Sequence, residues 1–446
     1  SSIVSHLVAE NNDVTVIDSS AELILKISDS MDVKAMEGYA PHPDVLEAAG
    51  AEDADMIVAV TYSDEINMVA CQVAHSLFEV PTKIARVRHQ SYLNPIWAEL
   101  FSRDHMPIDV IISPEIEVGR AISRRLHVPG AFDTIPLADG KVQLLGVRCD
   151  ADCPLLHTPL RQLTELFPDL HLTIVGIIRG DRRFVPSSKD HMLPGDEVYF
   201  VCDSTHVTRI MVAFGHEEPE ARRIIILGGG NIGRYLAREI EEHRPGVSAR
   251  IIEFNKERAH LAALGLNRTV VLNGDALDPE ILNEANVSSA EAVIAVTNDD
   301  EVNILASLLA KRFGAKKAMT LINNVTYSPL ITTLGIDVVV SPRAITVSTI
   351  LQHIRRGRIR AAHAVHEDFG EVMEAEAMET SPLVGVPIGE THLPEGVLIG
   401  AIIRGDEVIM PTVSTVIKAN DRVVIFAETE AVKKVERLFA VSLEFF

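Results

Sequence analysis

The chain contains an internal repeat, and this repeat limits its possible folds more than any other feature. A shift of 236 residues superimposes identical residues: Gly38 on Gly274, Pro43 on Pro279, Leu46 on Leu282, Thr61 on Thr297 and Asn67 on Asn303. Further along, IDVIISPE (108–115) is echoed by IDVVVSPR (336–343). The two halves are therefore predicted to fold alike.

Each half begins with short apolar segments that alternate with amphipathic stretches. The second half reads ARIIEFN, NGDALDPEILNEAN, AEAVIAVTNDDEVNILASLLAKRFG and KKAMTLINN. The first half reads DVTVIDS, EGYAPHPDVLEAAG, ADMIVAVTYSDEINMVACQVAHSLF and TKIARVRHQ. This order of strand, helix and strand is typical of a Rossmann-like parallel sheet.

A smaller, strand-rich segment follows each sheet region, at 176–203 and at 401–428. Both contain the sequence IIRGD, and its Gly-Asp pair is predicted to turn a β-hairpin. The fold class is therefore α/β, with two Rossmann-like parallel-sheet domains that are each followed by a small α+β domain. The predicted domains are 1–128, 129–216, 221–360 and 361–446, and the charged segment EEPEARR (217–223) joins the halves.

The sequence GGGNIG (228–233) lies between the apolar run RRIIIL and the helical stretch RYLAREIEEH. Gly228 allows a tight turn, Gly230 allows a pyrophosphate to approach the backbone, and Gly233 allows the helix to pack closely on the strand. In the first half, Ser1 aligns just past Gly233. We therefore expect the first domain to begin at a helix, without its first strand and glycine loop.

A carboxylate follows the next strand in both halves, Glu253 in the second and Asp18 in the first. A carboxylate at this point accepts hydrogen bonds from ribose hydroxyls and repels a 2′-phosphate, which favours NAD(H) or an adenine nucleotide over NADP. The alternative is a degenerate fold in which the loop packs without a ligand.

Further candidate residues follow the next two strands, at the edge where open α/β sheets bind ligands. They are Gly274, Asp275, Ala276, Thr297 and Asn298 in the second half, and Gly38, Thr61 and Tyr62 in the first. Each of them has the alternative interpretation of a simple turn residue.

The halves differ in charge at the end of one strand. Arg86 and Arg88 of the first half correspond to Leu321 and Asn323 of the second. Side chains two residues apart on a strand share one side, and guanidinium groups suit additional phosphate charge. The first half is thus predicted to bind a triphosphate, unless the two arginines form only a solvated surface pair.

Composition excludes several classes of protein. No apolar run is long enough to cross a membrane and no export signal is present, so we expect a cytoplasmic protein. The net charge of -22 argues against nucleic-acid binding and is compatible with a basic protein partner. The four cysteines form no CxxC pair, which favours buried thiols over metal ligands.

Nothing in the sequence indicates a catalytic centre. It contains no YxxxK or HExxH pattern, and the small β-rich domains account for the chain outside the nucleotide folds. Duplicated ligand domains with accessory domains suit a ring-forming regulator instead of an enzyme. An NAD-dependent oxidoreductase and a regulator of a different transporter are the alternatives.

The motifs GGGNIGRYLA, NGDALDPEIL, VTNDDEVNILASLLAK, GIDVVVSPR and the repeated IIRGD resemble those of the tandem RCK (KTN) family, notably the peripheral subunits of bacterial Trk potassium-uptake systems. The resemblance implies a homotetrameric ring at the cytoplasmic face of the bacterial inner membrane. It also implies binding of NAD(H) and ATP or ADP, and a membrane-embedded potassium channel or transporter as partner. It assigns the second nucleotide to Gly228, Gly230, Asn231, Ile232, Gly233 and Glu253, and the first to Asp18, Thr61, Tyr62, Arg86 and Arg88.

Overall fold

The computed structural model describes the chain except residues 1, 10–11, 168–169, 328–329, 332–333, 355–358, 367–368 and 440–446. It divides into two compact units, of which unit 1 comprises residues 1–117 and 345–353, and unit 2 comprises 118–344 and 354–446. Among the helices so described, none combines the length and the apolar character needed to span a membrane.

Unit 1 contains two small parallel sheets. In one, β1 pairs with β2, and in the other β4 lies between β3 and β5. Its elements are α1 (Ser2–Ala9), β1 (Thr15–Asp18), α2 (Ala21–Ser30), β2 (Lys34–Glu37), α3 (Pro43–Ala49), β3 (Met56–Ala59), α4 (Asp64–Phe78), β4 (Thr82–Arg86), β5 (Val110–Ile112) and the start of α5 (Pro114–His127). The expectation of a helix at the start of the sequence is confirmed.

The second sheet domain, in unit 2, has one six-stranded parallel sheet in the order β13-β12-β11-β14-β15-β16. Its elements are β11 (Arg223–Leu227), α8 (Asn231–His243), β12 (Ser248–Glu253), α9 (Lys256–Leu264), β13 (Val270–Asn273), α10 (Pro279–Glu284), β14 (Ala292–Ala295), α11 (Asp300–Arg312), β15 (Lys317–Leu321), β16 (Val338–Val340) and the start of α12 (Pro342–Ile354), of which residues 345–353 belong to unit 1. Strand β11 is central, between β12 and β14. The described part of unit 1 has no strand equivalent to β11, so its strands form two sheets instead of one.

Each half also has a five-stranded antiparallel sheet, in the orders β6-β7-β10-β8-β9 and β17-β18-β21-β19-β20. The elements of the first are β6 (Ala131–Leu137), β7 (Val142–Arg148), α6 (Leu160–Leu166), β8 (Leu172–Arg179), β9 (Arg182–Phe184), β10 (Glu197–Asp203) and α7 (Val207–Ala213). Those of the second are β17 (Ile359–Val365), β18 (Gly370–Glu376), β19 (Val397–Arg404), β20 (Glu407–Ile409), β21 (Arg422–Glu428) and α13 (Val432–Leu438). The predicted fold class is confirmed, while the exact domain boundaries stay predictions.

Both predicted hairpins are present and turn at a glycine. Strand β8 pairs with β9 and β19 pairs with β20, both antiparallel. Gly180 and Gly405 at the turns have φ of +59° and +63°. This left-handed conformation explains the glycine of the IIRGD sequence.

The two antiparallel sheets share one hydrophobic core within unit 2. The core contains Leu144 and Val201 from the first sheet together with Val372 and Phe426 from the second. Charged groups flank it, since Arg422 contacts Asp139 at 2.7 Å and is also paired with the buried Glu374. Apolar burial therefore holds the two sheets together.

The arginine of each IIRGD sequence makes a bidentate ion pair inside its own sheet. In the first copy, Arg179 donates Nε and Nη2 to the two carboxylate oxygens of Asp196, at 2.8 and 2.7 Å. In the second copy, Arg404 contacts Asp421 at 2.9 and 2.7 Å. Both aspartates are almost completely buried, so the pair fixes the strand ends around each hairpin.

We predict that Asp196→Ala destabilises unit 2 by roughly 2–3 kcal/mol, because it leaves the Arg179 guanidinium and the Leu193 amide without their acceptor. Calorimetric unfolding of the full chain would measure the loss. Asp181→Ala is the control, because Asp181 is exposed at the hairpin turn. Equal stability of the two variants would contradict this role of the ion pair.

Candidate functional site

The glycine loop lies between the end of β11 and the start of α8, at the carboxyl edge of the six-stranded sheet. Gly228 has φ of +110°, and a Cβ atom there would lie 3.1 Å from the backbone of Val296 and Thr297. A Cβ on Gly233 would lie 2.0 Å from the Gly228 carbonyl oxygen. These two glycines are therefore required by the turn and by helix packing.

Gly230 differs from the other two because neither its conformation nor its packing excludes a side chain. Its φ is -68°, and a Cβ there would meet no atom within 4 Å. Gly230 is also the N-cap of α8, and no side chain caps that helix. The helix start therefore has no side-chain cap and has open space beside Gly230, which is compatible with phosphate binding at a helix N-terminus.

Glu253 at the end of β12 is bonded to the glycine loop. It is only 4% exposed, and its Oε2 accepts a hydrogen bond of 2.7 Å from the Gly229 amide. Its Oε1 accepts from the Asn255 amide at 2.8 Å and lies 3.2 Å from an Arg258 nitrogen. A carboxylate oxygen has more than one lone pair, so Glu253 retains capacity to accept from a ribose hydroxyl.

A buried asparagine connects the ends of the next two strands in both halves. In the second half, Asn303 Oδ1 accepts from the Thr297 amide and hydroxyl at 2.9 and 2.7 Å. Its Nδ2 donates to the carbonyls of Thr297 and Leu321, both at 3.0 Å. In the first half, Asn67 makes the same four bonds to Thr61 and to the Arg86 carbonyl. Each threonine is thus held in place by an asparagine.

A buried aspartate supports the following loop in both halves, and the sequence analysis did not identify it as a site residue. Asp300 accepts from the amides of Asn323 and Asn324. Asp64 accepts from the amides of Arg88 and His89, at 2.9 and 2.8 Å. The 236-residue shift superimposes Asp64 on Asp300, so the repeat in the sequence could have identified both aspartates as candidates.

The remaining candidates of the second half lie along the same edge of the sheet. Gly274 packs against α10, since a Cβ there would lie 2.6 Å from Ile281, and Asp275 accepts from the Leu277 amide at 2.9 Å. Ala276 is buried in the core, whereas Asn298 and Asn231 are exposed and Ile232 is half-buried. Gly274, Asp275 and Ala276 therefore have structural roles that do not depend on a ligand.

In the first half, Asp18 ends β1 and accepts from the Ser20 amide at 2.9 Å. Gly38 corresponds to Gly274, because a Cβ there would lie 2.6 Å from Val45 on α3. Both residues lie at the carboxyl edge of their strands. The sheet of β1 and β2 is separate from that of β3, β4 and β5.

Arg86 and Arg88 lie together, as their spacing predicts. Their guanidinium groups lie 5.7 and 5.5 Å from the centre of the Tyr62 ring, which is 87% exposed. Arg86 donates to the Thr61 carbonyl at 2.8 Å, and Arg88 donates to the Tyr62 carbonyl. The pair therefore contacts the backbone at the two candidate positions after β3.

The environment of Arg86 disfavours its charge. Burial lowers the pKa of Arg86, and the neighbouring Arg88 lowers it further. Burial also raises the pKa of nearby Glu115, which keeps a buried oxygen without a hydrogen-bond partner. Two adjacent guanidinium groups of which one is half-buried would be stabilised by an anion.

Two family models match the chain twice each. The TrkA-N domain matches residues 1–114 and 224–342, and the TrkA-C domain matches residues 144–215 and 372–440. Curated relatives named Trk system potassium uptake protein TrkA include one from Azorhizobium caulinodans, 52% identical over 444 residues, which span all of this chain and 97% of the relative. Another, from Halomonas elongata, is 40% identical over 448 residues with the same coverage.

Solved structures match the fold over almost the whole chain. The GsuK RCK domain has a TM-score of 0.61 at 21% identity, and the match covers 98% of this chain and 92% of that one. The GsuK channel bound to NAD has a TM-score of 0.59 at 20% identity, covering 98% and 76%. At this identity the likeness shows a shared fold.

We predict that two glycine variants of the loop behave differently. Gly233→Ala places a methyl group against the Gly228 carbonyl and destabilises the second sheet domain by about 1–3 kcal/mol. Gly230→Ala meets open space, so its cost is limited to the poorer N-cap preference of alanine, less than about 1 kcal/mol. Thermal unfolding of both variants tests this, and equal melting temperatures would contradict the assigned roles.

Proposed function

The chain belongs to the TrkA family of Trk-system potassium uptake proteins, and on this premise we propose that it is the nucleotide-sensing subunit that gates a membrane-embedded Trk partner. In this proposal it forms a homotetrameric ring at the cytoplasmic face of the bacterial inner membrane. NAD(H) and ATP or ADP bind its sheet domains, and it acts as a regulator, not as an enzyme.

The proposal rests on the open space beside Gly230, at the start of α8. The turn and the helix packing explain Gly228 and Gly233, whereas Gly230 has open space where a side chain would lie, which is the space that an approaching pyrophosphate needs. The uncapped start of α8 supplies amides for a pyrophosphate, and Glu253 lies where a ribose would follow. The GsuK channel bound to NAD, which has a similar fold, supports the same ligand class.

The first half supports a second, more highly charged ligand. Arg86 and Arg88 supply two cations at the position where the second half has Leu321 and Asn323. Both halves have an aspartate beside this position, Asp64 and Asp300, but the residue that contacts Asp300 is the neutral Asn323, which donates to it at 3.0 Å. In the proposal, ATP binds the first half through its terminal phosphates and NAD(H) binds the second half.

Modest selectivity is sufficient for gating. A nucleotide that prefers one shape of the ring by about tenfold contributes roughly 1.4 kcal/mol per site to the conformational equilibrium. Several sites in one ring multiply this bias. Two unlike ligands could therefore set opposite states of one partner without any chemical reaction.

We predict that Gly230→Ala lowers NADH affinity at least about tenfold while the fold is retained, because the methyl group occupies the space of the pyrophosphate. Calorimetric titration of the full chain measures the affinity. Potassium flux through a reconstituted Trk partner, with and without the chain and nucleotides, then tests the function. Flux that ignores the chain and its nucleotides would refute the proposed gating role.

We predict that replacing Arg86 and Arg88 by alanine weakens ATP binding at least about tenfold and changes NADH binding little, because hydrogen bonds to charged phosphates are lost. Arg103→Ala is the control, since Arg103 is an exposed cation of the same unit. Titration with ATP, ADP and NADH compares the three proteins. Unchanged ATP affinity in the double variant would refute the role of the arginines.

A further inference from the structure

Helix α8, which begins at the glycine loop, packs against helix α5 within unit 2. A Cβ atom on Gly119 of α5 would lie 2.3 Å from the Tyr235 ring on α8, so this glycine leaves the space that the ring fills. Further along both helices, Arg244 at the end of α8 donates its Nε to His127 Nε2 at 3.0 Å. The two helices are thus joined by packing at one end and by a hydrogen bond at the other.

The guanidinium group of Arg244 depends on this hydrogen bond. Arg244 is only 7% exposed, and neither its Nη1 nor its Nη2 has a hydrogen-bond partner among the described residues. Glu220, in the segment between the halves, lies 3.6 Å from Nη2 and is itself exposed. Burial lowers the pKa of Arg244, and the charge of Glu220 partly offsets this effect. The His127 imidazole is therefore the acceptor that the buried cation needs.

The two partners of His127 require a neutral imidazole. Its Nδ1 lies 2.8 Å from the Ser123 carbonyl, which can only accept, so Nδ1 carries a proton. The nitrogens of Arg244 can only donate, so Nε2 must keep its lone pair. Because His127 is exposed, a proton from solvent can reach it. Imidazole side chains in general change their charge between about pH 5 and 8.

The carboxylates near this contact already have cations beside them. Asp133 lies 2.8 Å from Arg125, and Glu220 is paired with Arg244. Burial, followed by the charge of Arg124, lowers the pKa of a second histidine, His363, to about 4. The charged and titratable groups on the surrounding elements are Arg124 and Arg125 of α5, Asp133 of β6, Glu220, His243 and Arg244 at the end of α8, Arg268 before β13, and His363 of β17. A proton on His127 therefore adds charge to surroundings that are already rich in cations.

The repeat shows that the position of His127 does not have to be histidine. A shift of 228 residues superimposes β6 on β17 and places Arg355 at the position of His127. Arginine keeps its charge at every physiological pH, whereas histidine titrates within that range. The repeated fold therefore does not by itself explain the imidazole, but its hydrogen bond to Arg244 does.

We propose that His127 is an acid-sensitive switch that releases the end of α8 from α5. While the imidazole is neutral, its Nε2 accepts from Arg244 and the helix ends stay joined. Once Nε2 carries a proton it becomes a donor, so the buried guanidinium group loses its acceptor and faces a second cation.

The sign of the pH dependence follows from the protonation state that the contact requires. Since the joined state holds the neutral form, the released state binds the additional proton, and the contact is lost as the pH falls through the range in which imidazole titrates. The glycine loop lies at the other end of α8, so the switch acts on the helix to which the nucleotide is assigned. The switch itself requires no nucleotide.

Hydrogen–deuterium exchange of the full chain without nucleotide, measured by mass spectrometry at about pH 7.5 and 5.5, tests the switch. At the higher pH, the amides of residues 240–244 should exchange equally in wild type and His127→Gln, because a glutamine oxygen can also accept from Arg244. At the lower pH, they should exchange at least about tenfold faster in wild type than in His127→Gln. His127→Lys is charged at both pH values and should show the fast exchange at both.

His243→Gln is the matched control, because His243 is an exposed histidine in the last turn of α8 and its ring contacts Glu239 instead of Arg244. Its acid response should equal that of wild type. Equal exchange of wild type and His127→Gln at the lower pH would overturn the proposal. Loss of the acid response in His243→Gln would overturn it as well, and so would wild-type protection of His127→Lys at the higher pH.

Discussion

A buried asparagine that joins two strand ends is the interaction on which each candidate site depends. Asn303 is completely buried, and its amide accepts two hydrogen bonds from Thr297 and donates one each to the carbonyls of Thr297 and Leu321. All the hydrogen-bonding capacity of the side chain is thereby used. Because a buried polar group without partners is costly, the ends of β14 and β15 stay at a fixed spacing before any ligand arrives.

A buried, hydrogen-bonded polar side chain also holds the glycine loop in place. Glu253 is buried at the end of β12 and accepts the Gly229 amide, so the chain preorganises the loop with the residue that would also meet a ribose. Asp300 fixes the loop after β15 through the amides of Asn323 and Asn324. The ends of β12, β14 and β15 are therefore held by buried polar side chains, and binding would order little additional chain.

The repeat and the apolar periodicity were sufficient to predict the parallel and antiparallel sheets and the hairpins at Gly180 and Gly405. They did not predict contacts between distant residues, such as the approach of Arg244 to His127, because side-chain packing across a fold has no local pattern. The roles of Gly274 and Gly38 also depended on packing against Ile281 and Val45. The spacing of Arg86 and Arg88 predicted their common side, but only the structure placed both against Tyr62.

The two halves keep the same interactions even where the residues that form them differ. Before β5, Asp109 accepts the Lys83 amide and pairs with the Lys83 ammonium group at 2.8 Å. Before β16, Asp337 accepts the Ala318 amide and pairs with Lys311, which lies on α11 instead of the strand. Both halves thus place a lysine beside this aspartate, but the lysine lies on β4 in the first half and on α11 in the second. Arg86 and Arg88 likewise replace Leu321 and Asn323 without altering the asparagine and aspartate hydrogen bonds that both halves share, so this difference changes the charge at the strand end and leaves the backbone arrangement as it is.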